Sequence, residues 1–167
     1  MDIIENKVAK SGLITIDLEE LKPNWDILGF DISSVLVEGL MLREKDFREF
    51  INSNDWSPYS DKHLHVYCST DAIVPTWAYM LLSSKLSGVA KSCVFGTKSE
   101  MKKMLWLNLV ENMDYERFAG ERVIVKGCAT EAIDEAVYML LAQNLTPIVK
   151  SLMFGEPCST VPIYKKK

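Results

Sequence analysis

Apolar residues recur along this chain at two spacings, every second residue over short runs and every third or fourth over longer ones, and the order of the runs is its clearest structural signal. His63 to Cys68 is a β-branched and apolar run that ends in a Ser-Thr-Asp turn, and it predicts a strand. From Ile73 to Leu86 the apolar positions step by three and four, which predicts an amphipathic helix with Pro75 tolerated in its first turn. Val89 to Phe95 then predicts a second strand. The order repeats further on, with Val123 to Val125 as strand, Glu131 to Leu145 as helix with Thr130 as its N-cap, and Ile148 to Phe154 as strand. Upstream of each set, Glu44 to Ile51 and Glu100 to Val110 read as helices with polar faces.

Sliding the chain over itself by 59 residues explains the repetition. Tyr79-Met80-Leu81-Leu82 falls on Tyr138-Met139-Leu140-Leu141, Phe95-Gly96 falls on Phe154-Gly155, and nine of the twenty positions from Ala78 to Thr97 are identical. One inserted residue in the later copy pairs Cys68 with Cys128. The expected architecture is a single α/β domain over residues 1–167, with internal copies of a helix-strand-helix-strand unit at about 43–97 and 102–156. Strand-helix-strand crossovers require parallel pairing, so a mixed sheet flanked by helices follows. Residues 1–42, including Leu13-Ile14-Thr15-Ile16 and Val35-Leu36-Val37, are expected to add strands or a cover layer, and Ser159 to Tyr164 a last extended piece.

Composition narrows the partners. At 167 residues and 48% hydrophobic content, a core can form without disulfides. A net charge of -4 gives no general attraction to polyanions, and the only basic cluster is Lys165-Lys166-Lys167, so nucleic acid is not an expected partner. No stretch has the uncharged length of a membrane span, and the N-terminal residues lack the apolar segment of a secretory leader. A cytoplasmic protein with reduced thiols is the expectation for four widely spaced cysteines.

Chemistry in a strand-helix unit concentrates beyond the carboxyl ends of the strands. Cys68 and Cys128 fall there, and Cys158 follows the Gly155-Glu156-Pro157 turn. If the three thiols converge, with His65, Asp71 or Glu131 as further donors, the site suits a soft-ligand metal, zinc or iron. Separations of tens of residues lack the specificity of paired Cys-x-x-Cys, so the same cysteines also read as packing residues or as reactive thiols. Cys93 has the parity of a core position. His63 and His65 share one strand face, which suits chelation or plain solvation. Glycine-rich phosphate loops, hydrolase elbows and His-Glu-x-x-His helices do not occur.

Three stretches, Asp71-Ala72-Ile73-Val74-Pro75-Thr76-Trp77-Ala78-Tyr79, Lys126-Gly127-Cys128 and Gly155-Glu156-Pro157-Cys158-Ser159-Thr160-Val161-Pro162, resemble domain-of-unknown-function family 2480 over essentially the whole chain. That family has no assigned activity. Its members are small bacterial proteins often encoded beside iron-sulfur cluster assembly components, so the resemblance implies an accessory role there and favours the thiol-metal reading for Cys128 and Cys158. The functional expectation is a non-enzymatic metal-binding or iron-sulfur assembly accessory protein using Cys68, Cys128 and Cys158. Its alternatives are a thiol enzyme or sulfur carrier, with Glu131 or His65 as base, and an interaction module that forms a homodimer.

Overall fold

A computed structural model describes residues 12–127, 130–156 and 159–167. In chain order the elements are β1 (Leu13–Ile16), α1 (Leu18–Leu21), β2 (Ile27–Asp31), α2 (Glu44–Ser53), β3 (His63–Tyr67) and α3 (Thr76–Leu86). They continue with β4 (Ser92–Phe95), α4 (Lys98–Glu111), β5 (Arg122–Val125), α5 (Glu135–Leu145), β6 (Ser151–Glu156) and β7 (Ser159–Lys165). The class is α/β. The chain divides into two compact units, one formed by Asn24–Lys102 and the other by the described residues up to Pro23 together with Lys103–Lys167. Each has its own sheet, three-stranded in the first case and four-stranded in the second, so the strands are shared between two sheets where the sequence suggested one.

In the Asn24–Lys102 unit the sheet order is β2-β3-β4, all parallel. β3 is central, and its alternation decides which face is dry: Leu64 and Val66 are buried while His63 and His65 are half-buried. Against the dry face lie Ala78, Leu82 and Leu86 of α3, one helical turn apart, and Phe47 and Ile51 of α2. An aromatic group fills the remaining space, with Phe30 5.6 Å from Trp56 and 6.2 Å from Phe50 between ring centroids. Trp56 satisfies its buried indole by donating from Nε1 to the Ile51 carbonyl at 3.0 Å.

In the other unit the order is β1-β5-β6-β7, with β7 antiparallel to β6 and the rest parallel. Val137, Leu141 and Leu145 of α5 are buried at the same one-turn spacing, 59 residues after Ala78, Leu82 and Leu86. His63 faces Ser92 in one sheet and Arg122 faces Ser151 in the other, again 59 residues on. The offset holds on both sides of the loop after the middle strand, through Thr76 and Glu135 at the two helix starts. Strand register therefore carries Cys68 onto Gly127, and an inserted residue before Cys128 needs a compensating deletion before Glu135.

The first strand of each sheet comes from the N-terminal forty residues. Leu13–Ile16 is a strand as expected, whereas Val35-Leu36-Val37 is not: Asp31 caps a 3-10 turn over Ile32–Val35, and Val37 makes only an isolated bridge to Met41. The strand lies earlier, at Ile27–Asp31, where Gly29 weakens the apolar signal. A Cβ at Gly29 would lie 2.9 Å from the His65 ring, which would have to shift to admit it. Two helix starts also move inward. Asp134, not Thr130, caps α5 by accepting from the Ala136 amide, and α3 begins at Thr76, leaving Ile73 89% exposed. Among the described residues no helix is long and apolar enough to cross a membrane.

Leu64→Ala, at a fully buried position of the central strand, is expected to cost about 2–5 kcal/mol. Met80→Ala, on the exposed side of α3, is expected to stay within about 0.5 kcal/mol. Urea denaturation followed by tryptophan fluorescence compares the two.

Candidate functional site

Parallel strands all end at one edge of a sheet, so the residues just after them meet. In the four-stranded sheet this edge carries Asp17 after β1, Lys126 after β5 and Glu156 at the end of β6. Asp17 accepts from Lys126 Nζ at 2.6 Å and from the Glu19 amide at 2.9 Å. The Lys126 hydrogen bond is the main reason that its carboxyl lies below the ordinary range, against the opposing effect of burial. The same bond raises Lys126, which also feels the charges of Glu156 and Glu20.

Glu19 holds the loop that leaves β5. One of its oxygens accepts from the Thr130 amide at 2.8 Å, the Thr130 hydroxyl at 2.6 Å and the Glu131 amide at 3.1 Å. Thr130 is thus a donor to Glu19 and not the helix cap. These bonds, the Thr130 hydroxyl first, lower the Glu19 pKa. Glu131 in turn accepts from Lys22.

The loops after β5 and β6 start side by side. A Cβ on Gly127 would lie 3.4 Å from the Gly155 Cα and 3.0 Å from the Phe154 ring, so the two chains pass close to each other and a glycine at 127 eases the approach. Cys128 and Cys158, both expected as site residues, lie outside the described residues, the first between Gly127 and Thr130 and the second between Glu156 and Ser159. Glu156 Oε1 is buried and has no hydrogen-bond partner among the described residues. Sequence reasoning passed over Glu156 along with Asp17, Glu19 and Lys126. A signal for Asp17 was present: Ile16-Asp17-Leu18 and Phe30-Asp31-Ile32 place an aspartate between two buried residues where the first strand of each sheet ends.

The equivalent edge of the three-stranded sheet is built differently. Asp31 accepts from the Ser33 amide at 3.0 Å and the Ser69 amide at 3.1 Å. Burial pushes its pKa up, but the hydrogen bonds from Ser69 and Ser33 outweigh it and bring the carboxyl from 3.8 to about 2. Cys68 Sγ donates to the Thr70 carbonyl at 3.3 Å. His65 stacks on Tyr67 at 5.3 Å, with Nδ1 3.3 Å from the Gly96 carbonyl oxygen. His63 shares a hydrogen bond with Ser92 Oγ at 2.8 Å, and burial, followed by the charge of Lys91, lowers its pKa. The two histidines thus face separate partners across β4. Cys93 packs against the core, and burial raises its thiol pKa.

Of the five expected metal ligands, His65 and Cys68 belong to the Asn24–Lys102 unit and Glu131 to the other. Among the described residues, no group of three or more His, Cys, Asp or Glu side chains is placed to hold a metal ion.

Because Asp31 is more acidic folded than unfolded, its stabilisation is fully present above 3.8 and is lost as pH falls toward about 2. Asp31→Ala is expected to cost about 0.5–2 kcal/mol at neutral pH, since two amides lose their acceptor. Urea titrations over a pH series should show that difference shrinking across the same window.

No curated protein and no solved structure matches the chain. A family model does, over residues 2–166, and its description is a protein of unknown function. With that match running through both sheets, the chain belongs to family DUF2480.

Proposed function

We propose that this protein is a non-enzymatic accessory protein that holds a soft divalent metal, zinc or iron, at the carboxyl edge of the β1-β5-β6 sheet. The ligands in this reading are Cys128, Cys158 and Glu156. The observation that carries it is the buried Glu156 Oε1, which has no hydrogen-bond partner among the described residues. A carboxylate oxygen removed from water needs a proton, a donor or a cation, and a metal ion supplies the last.

Three further features support the reading. Gly127 and Gly155 approach closely, so the loops bearing the two thiols start from adjacent points. Asp17, Glu20 and Glu156 all act on the single Lys126 ammonium, which leaves this edge with an excess of negative charge suited to a cation. Glu19 fixes Thr130 and Glu131, the residues that follow the Cys128-Ala129 pair in the chain, through three hydrogen bonds. Cys68, bonded to Thr70 in the other unit, stands outside this ligand set. An accessory protein carrying iron on such a site would serve iron-sulfur assembly proteins.

Protein purified without chelator is expected to contain about one zinc or iron per chain by elemental analysis. Cys128→Ser with Cys158→Ser should abolish that content, Glu156→Gln should weaken zinc binding at least about tenfold in a competition titration, and Cys68→Ser should change neither. A trace of metal that survives the double serine replacement would overturn the assignment.

A further inference from the structure

The two sheets finish differently at corresponding edges. β6 is followed by β7, which pairs with it antiparallel through Phe154↔Val161 and Gly155↔Thr160. Between β6 and α5 lies an apolar cleft of about 420 Å³, and Ile163 of β7 lines it. β4 holds the corresponding place in the other sheet, yet no described strand pairs with its outer edge. The matching cleft, of about 490 Å³ and lined by Tyr79, Met80 and Phe95, lies open. Those three residues stand 59 positions before Tyr138, Met139 and Phe154 of the first cleft. Met80 is 69% and Phe95 67% exposed.

An open edge normally carries a device against pairing, such as a charge, a proline or a bulge. β7 has all three, in Lys165, Pro162 and the register shift at Leu152/Met153. β4, Ser92-Cys93-Val94-Phe95, has no charge and no proline, and its register with β3 is unbroken. Its sequence is also self-complementary. Two copies related by a two-fold axis perpendicular to the sheet pair antiparallel with the same face up, so residues of equal parity face each other. With the axis at Val94, Val94 faces Val94, Cys93 faces Phe95, and Lys91 faces Thr97 of the other copy. Thr97 is where the Glu100 carboxylate sits, accepting from its amide at 2.7 Å and its hydroxyl at 2.9 Å. Lys91 and Glu100 are both exposed, so each end of the pairing sets an ammonium beside a carboxylate.

We propose that β4 is a homodimerisation edge: a second copy of this chain adds its own β4 antiparallel across Val94, joining the two three-stranded sheets into one and covering Phe95. This surface is separate from the residues assigned to the metal.

Sedimentation equilibrium and native mass measurement of the full chain test it. The wild type is expected to be a dimer. Val94→Lys sets two ammonium groups against each other at the axis and should raise the dimer dissociation constant about tenfold or more, with an unchanged far-ultraviolet spectrum. Lys91→Glu, at an exposed position outside the strand, should also weaken the dimer and decides the matter if Val94→Lys misfolds. A wild type that stays monomeric at every soluble concentration overturns the proposal, as does a dimer indifferent to Lys91→Glu and to a folded Val94→Lys.

Discussion

Parallel pairing of three strands is the constraint on which the rest of each unit depends. Neighbouring parallel strands cannot be joined by a tight turn, so a covering segment must cross the sheet between them. Here α2 and α3 make those crossings in one unit, and in the other α5 carries β5 to β6. The crossings bury one sheet face under the one-turn stripes of α3 and α5. The same constraint sends every strand end to one edge, which brings Asp17, Lys126 and Glu156 together although they lie far apart in the chain.

Polar chemistry at these edges is shared unequally. Asp31 spends its charge on the Ser33 and Ser69 amides and becomes a strongly acidic structural cap. Asp17 occupies the corresponding position, yet its principal partner is the Lys126 ammonium, where the other sheet has Tyr67. One edge is therefore closed on itself by serines, and the other gathers Asp17, Glu20 and Glu156 around Lys126. That contrast is why the metal reading settles on one edge alone.

Much of the fold was legible beforehand. The spacing of Ala78, Leu82 and Leu86 and of Val137, Leu141 and Leu145 fixed two helix faces, and the alternation of His63 to Tyr67 fixed a dry strand face. Helix starts were less legible, because Ile73 and Glu131 fit the helical period by chance while Pro75 and Asp134 set the real boundaries. β2 escaped notice because Gly29 interrupts its apolar run, at a place where the His65 ring of the next strand lies close.

Periodicity, composition and the 59-residue likeness determined the α/β class and the strand-helix-strand order of β3 to β4 and of β5 to β6. Local patterns can do this because burial of a helix stripe or a strand face is a property of neighbours in sequence. Tertiary structure alone decided that the described strands divide between two sheets, that the Oε1 atom of Glu156 is buried at the edge where β1, β5 and β6 end, and that no described strand pairs with the outer edge of β4 while β7 pairs with β6. Those outcomes depend on which distant segments pair, and hydrogen bonding between strands is indifferent to side-chain identity, so no local pattern records them.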